Sequence, residues 1–272
     1  MIPRELVRAL PKSDVHTHLD GSMRIATLIE LAREQRVTLP SYEEAGLLEL
    51  VFKPVYRDLA DYLQGFEYLC AVLRRRDALE RAACEMAEDA IAQGVRYLEV
   101  RFAPQRLAET GEGCVQAFKA VHDGLARAAR AHNLSESVRA QGDIPFEWAI
   151  LCCAMRNFGR GMGTYYDRLL DVLPGMARNE LVSIASLEAV RAAVKARDRE
   201  GVPVTGFDLA GEEAGYRAGH HVAAYEEAHR HFIRKTVHAG EAYGPESIYE
   251  AIARCHAERI GLYRSVLAGH DH

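Results

Sequence analysis

The feature that most constrains this chain is an alternation. Short apolar, β-prone runs are separated repeatedly by longer segments with helical periodicity. The first run is "DVHTHLDG", followed by a helix predicted over Thr27–Arg36, with Leu28, Ile29, Leu31 and Ala32 on one side and Pro40 as punctuation. A long helical region from about Arg57 to Gln93 stops at Gly94 and leads into the strand "VRYLEVRFAP", closed by Pro104. The pattern then repeats. "GCVQAFKAVHDGLARAARAH" reads as helix and "FEWAILCCAMRNF" as strand, then "SLEAVRAAVKARDREG" as helix and "VPVTGFDLAG" as strand. "HHVAAYEEAHRHFIR" reads as helix, "KTVHAGE" as strand, "ESIYEAIARCHAE" as helix, and "RIG" begins a strand at Arg259. Strands joined by helices must run parallel, and parallel strands covered on both faces are apolar throughout. The class is therefore α/β. About six strands are counted, whereas a (β/α)₈ barrel needs eight; the pattern alone also permits an open doubly wound sheet.

Composition excludes several functions. A formal charge of −5 and a pI near 6.2 give no electrostatic reason to bind nucleic acid or an anionic membrane. No apolar run reaches the ~18 residues of a membrane span, and "MIPRELVRALPKSD" lacks the apolar region of a secretory signal. Cys70, Cys84, Cys114, Cys152, Cys153 and Cys255 show no C-x-x-C spacing, so they read as reduced thiols of a cytoplasmic protein. "GRGMG" lacks the third glycine of a G-x-G-x-x-G cradle, because Thr164 and Tyr166 stand at the required positions.

Three H-x-H pairs occur, at His16/His18, His229/His231 and His270/His272. Such a pair is a weak signal until its local structure is considered. On a strand, residues i and i+2 share a face, whereas on a helix they diverge by about 200°. His16 and His18 could therefore grip one ion, with Asp20 on the same side and Val15, Thr17 and Leu19 on the other. Satisfied core histidines are the alternative for that pair. His229 and His231 read as surface residues of a helix, and His270 and His272 as a frayed tail.

A second cluster favours a site. "KTVHAGE" puts His238 and Glu241 at and just beyond the C-terminal end of a strand, where α/β folds carry their chemistry. A neutral imidazole suits zinc, and a carboxylate beside it suits acid/base work. A third polar strand end, "FDLAGEE", offers Asp208 and Gly211, the glycine allowing close approach of a ligand to the backbone. Glu212 and Glu213 read as a solvated loop.

Taken in order, "LPKSDVHTHLDGS", "GVRYLEVRFAP", "GFDLAGEE", "TVHAGE" and "AERIG" resemble the adenosine deaminase family of metal-dependent hydrolases. The resemblance extends to Gly261 and implies a TIM-like (β/α)₈ barrel, here incomplete, with residues 1–261 as one domain and 262–272 as a divergent tail. It further implies that His16, His18 and His238 bind one catalytic Zn²⁺ and that Glu241 shuttles a proton to the purine ring. Asp20 would hold the sugar 5′-hydroxyl, Gly211 would meet the purine, and His18 would also stand near the substrate. The implied ligand is a small purine nucleoside, with adenosine converted to inosine and ammonia.

The chain departs from the family pattern after "RIG". A histidine is expected there, but Leu262 and Tyr263 follow, and no Asp-Asp pair occurs anywhere. The expectation is a truncated or frame-shifted barrel with unpaired strand edges that favour self-association. The competing reading is a catalytically impaired remnant that binds zinc or purine. A binuclear metallohydrolase with a carbamylated lysine is disfavoured, because no predicted strand end offers an evident lysine.

Overall fold

A computed structural model describes residues 3–261. Within them, six strands form one curled parallel sheet in sequence order: β1 (Lys12–His18), β2 (Val95–Phe102), β3 (Glu147–Met155), β4 (Val204–Ala210), β5 (Arg234–Val237) and β6 (Arg259–Ile260). This is an incomplete barrel rather than a doubly wound sheet, since a doubly wound order would reverse direction part-way across. Among the described residues β1 and β6 have a neighbour on one side only.

The central strands are apolar because both faces are covered. Ile150, Leu151, Cys152, Cys153 and Ala154 of β3 are all buried. The outer layer is built from helices Ile25–Gln35, Arg76–Ala92, Gly111–Asn133, Arg178–Glu200, Val222–Arg230 and Pro245–Cys255. Their ends carry ordinary stop signals: the Thr110 hydroxyl accepts from the Gly113 N–H at 3.0 Å, and Gly201 closes its helix at φ +70°. Gly124 lets two helices approach closely, because a Cβ there would lie 2.2 Å from the Glu80 carbonyl oxygen.

Two expectations are refined. The helical region from about Arg57 to Gln93 resolves into three helices, Leu59–Leu63, Gly65–Val72 and Arg76–Ala92. The first two cross the C-terminal end of the sheet instead of lying along it, which shapes the cavity described below. The helix expected from "SLEAV" begins earlier, at Arg178, where the Glu180 carboxylate accepts from the Ala177 N–H at 2.9 Å. All six cysteines are buried and unpaired, as free thiols. No described helix is long and apolar enough to cross a membrane.

Candidate active site

The site is assembled where strands end. β1 closes at His18, so its two-residue period aims His16 and His18 into the same space. β5 closes at Val237, and the next residue, His238, is tied to β4 by its N–H donating to Leu209 O at 3.3 Å. The three imidazoles converge. His238 Nε2 lies 3.0 Å from His16 Nε2 and 3.1 Å from His18 Nε2. Burial, with the nearby Arg101 and His238, depresses His16 to a pKa of about 4; burial, with His238, depresses His18 to about 3. Both rings are therefore neutral at physiological pH, the form that ligates metals. One ring nitrogen from each of the three histidines, all within 4.8 Å of one another, fits a zinc site with three protein ligands and one open position. His229 is exposed and His231 caps the same helix end, both away from this cluster. His270, His272, Leu262 and Tyr263 lie outside the described residues.

A buried pair supports the histidines from below. Asp208 on β4 and Arg101 on β2 are fully buried and joined at 2.6 Å. The second Arg101 nitrogen donates to Val15 O at 2.7 Å, which ties β1 to the pair. Asp208 Oδ2 also lies 3.0 Å from His238 Nδ1, close enough to orient the ring. Burial alone would push the Asp208 carboxyl up, but His238 and Arg101 outweigh it and hold the group well below the carboxylate range.

Glu241 stands on the loop after β5. Burial raises its carboxyl above the usual value, with the Glu213 charge adding to the effect and His238 opposing it. Glu213 corrects the sequence reading. Glu212 is exposed as expected, but Glu213 is buried and gathers the whole loop onto one carboxylate. Its Oε1 accepts from Gly240 N–H at 2.7 Å and Ser247 O–H at 2.5 Å, and its Oε2 from Ala242 N–H at 2.5 Å and Tyr243 N–H at 3.1 Å. Arg156, buried at the end of β3, donates to the His238 carbonyl at 2.5 Å and to Tyr216 O at 2.6 Å, and faces Glu213 at 4.0 Å. His238 and Glu241 are thus held from both ends of the loop that joins them. Neither Arg156 nor Arg101 is among the residues that sequence reasoning singled out. The available signal was a lone arginine inside an apolar strand, which needs a buried partner.

These groups line one cavity of about 540 Å³, within the usual size for a small-molecule site. His16, His18, His238, Glu241, Asp20 and Gly211 all face it. Asp20 is not on β1: the strand ends two residues earlier, and Asp20 opens a 3₁₀ turn that still brings its carboxylate to the cavity wall. Gly211 adopts φ +95°, and a Cβ there would meet Met155 Cε at 2.9 Å. Leu59, Tyr62, Leu63 and Phe66, from the two short crossing helices, form an apolar rim.

An incomplete parallel barrel with a three-histidine cluster at its C-terminal end is the architecture these residues build. A family model described as adenosine deaminase matches residues 11–157 and 154–265. The chain belongs to the adenosine deaminase family. It is 34% identical over 261 residues to a probable adenosine deaminase of Dictyostelium discoideum, covering 96% of this chain and 29% of that protein. It is 34% identical over 258 residues to adenosine deaminase 1 of Streptomyces coelicolor, covering 94% of this chain and 56% of that one. The chain therefore spans little more than half the length of the Streptomyces relative, and less of the Dictyostelium one. Among solved structures, an amidohydrolase from Burkhoderia ambifaria with bound Zn superposes at a TM-score of 0.70 with 21% identity, covering 99% of this chain and 64% of that chain. An Arabidopsis N6-mAMP deaminase superposes at 0.69 with 24% identity, covering 95% and 67%.

Proposed function

We propose that this chain carries out zinc-dependent hydrolytic deamination of adenosine, or a close adenine nucleoside, to inosine and ammonia. The observation that carries the reading is the convergence of His16, His18 and His238 Nε2 in the same cavity as the half-desolvated Glu241. His16, His18 and His238 would hold one zinc ion, which supplies a Lewis acid that lowers the pKa of bound water toward 7. Glu241, whose raised pKa makes its protonated form easier to reach, would pass a proton to the ring nitrogen beside the carbon that loses its amino group. Gly211 would let the purine approach the backbone. Asp20 would accept from the sugar hydroxyl, with His18 close to the same substrate.

Support also comes from the relatives named adenosine deaminase and from the zinc in the Burkhoderia amidohydrolase. Arabidopsis relatives of the same fold have been solved with GMP and IMP, which supports a purine-sized ligand. Asp20 favours a nucleoside over a nucleotide, because a carboxylate repels a 5′-phosphate. Free thiols and the absence of a membrane-crossing helix among the described residues are consistent with a cytoplasmic setting. Among the described residues β1 and β6 each pair on one side only, and unpaired strand edges of that kind favour self-association.

A second reading is a zinc- or purine-binding protein without turnover. It is favoured by the Leu262 that stands where a histidine is expected. Chromatographic analysis of adenosine, adenine, AMP and N6-methyl-AMP, each incubated with the zinc-supplemented chain, tests both readings. Selective conversion of adenosine is expected. Conversion of none of them, with zinc bound, would favour the second reading.

A further inference from the structure

The cavity wall carries two opposite charges that are not paired with each other. Asp20 and Arg106 both line it, and among the described residues Arg106 makes its one ion pair with Glu67, at 2.7 Å. Glu67 is 54% exposed, so that bond faces solvent, whereas the Arg106 side chain is 94% buried. Its Nε is buried and has no partner, and its Nη1 donates to no protein atom among the described residues. A guanidinium has five N–H donors, and a buried one left without a partner, as Nε is here, is costly. The backbone holds it there: Arg106 lies on the four-residue helix Pro104–Leu107, directly after β2.

Asp20 has no ion-pair partner among the described residues, and each of its oxygens has one weak or local donor. Its Oδ1 accepts from the Gly21 N–H at 3.1 Å, and Oδ2 faces the Cys70 thiol at 3.8 Å. An acceptor and a donor on one wall, unjoined, leave room for a group that can serve both. Two carboxylates, Asp20 and Glu67, surround the single guanidinium, so a doubly charged phosphate gains little there. A neutral hydroxyl gains twice, by donating to Asp20 and accepting from Arg106. We propose that Arg106 is a specificity-determining residue, completing with Asp20 the recognition of the primary hydroxyl of a neutral nucleoside. This deepens the nucleoside reading above and rests on it.

Calorimetric binding of inosine, 5′-deoxyinosine and inosine 5′-phosphate to the zinc-supplemented chain tests the proposal without requiring turnover. Inosine is expected to bind at least tenfold more tightly than 5′-deoxyinosine, as a site built to bond a hydroxyl rejects the analogue lacking it. In Arg106→Met that ratio is expected to fall by about threefold to tenfold, with 5′-deoxyinosine binding unchanged. Arg106→Lys, which keeps a charge and a donor, is expected to recover part of the preference and carries the test alone if Arg106→Met does not fold. An unchanged ratio in a folded variant would overturn the proposal and leave the nucleoside reading intact. Tighter binding of inosine 5′-phosphate, lost in Arg106→Met, would overturn it in favour of a phosphate site. Binding of neither nucleoside by the folded chain would overturn the nucleoside reading and this proposal together.

Discussion

His238 Nδ1 lies 3.0 Å from Asp208 Oδ2, on the opposite side of the ring from the Nε2 that meets His16 and His18. A carboxylate behind a ligating histidine fixes which nitrogen carries the proton and leaves the other lone pair facing the ion. Asp208→Asn is therefore expected to weaken zinc binding by roughly 10- to 100-fold, measured by competition with a chromophoric chelator. Unchanged affinity would mean that His238 is oriented by its backbone alone.

The same carboxylate neutralises Arg101. Both side chains are fully buried, so removing one leaves the other as an uncompensated charge. Arg101→Met is expected to cost roughly 3–5 kcal/mol of stability, read from the denaturant midpoint. A cost below about 1 kcal/mol would place the pair among exposed, weak bridges.

Glu213 predicts a pH dependence. Burial works against its charge, but the Ser247 hydroxyl, the Ala242 and Gly240 N–H groups and Arg156 together hold its pKa below the ordinary value. A group whose folded pKa is depressed contributes fully above its unfolded pKa, about 4.3, and loses that contribution as pH falls through the folded value. Melting temperature should therefore fall more steeply below about pH 4.5 in the parent chain than in Glu213→Gln. Above pH 6 the variant should be the less stable of the two, since it loses charged acceptors from four bonds. Parallel curves across the whole range would contradict this.

Gly211 predicts a steric effect. At φ +95°, with Met155 Cε 2.9 Å from the position of a Cβ, Gly211→Ala must strain the backbone and displace Met155. A loss of roughly 1–3 kcal/mol is expected, together with weaker ligand binding, because Met155 and Gly211 share the cavity wall. Thermal unfolding and ligand titration of the same sample would check both effects.

How much of this was legible in the sequence depended on how local each signal was. His16 and His18 were readable because strand period and strand position are short-range properties. His238 and Glu241 were readable because chemistry collects at strand ends. Glu213 was misread because two consecutive glutamates after a glycine look solvated, and the N–H groups they might serve begin 27 residues later, at Gly240. Arg106 was missed for a similar reason: its neighbours on the cavity wall, Asp20 and Phe66, come from distant segments. The sequence showed a helical region from about Arg57 to Gln93 without its breaks, because helical periodicity does not reveal where a helix turns over the end of a sheet. The six strands emerged clearly, since apolar runs between helices have few other readings.

The most direct test of the account is ammonia release from adenosine by the zinc-supplemented chain, measured beside Glu241→Gln. The account predicts steady release by the parent chain and a loss of at least 100-fold in the variant, the scale of a removed acid/base group. Equal release by both would contradict the assigned role of Glu241. No release by a folded, zinc-loaded parent chain would contradict the deaminase reading itself.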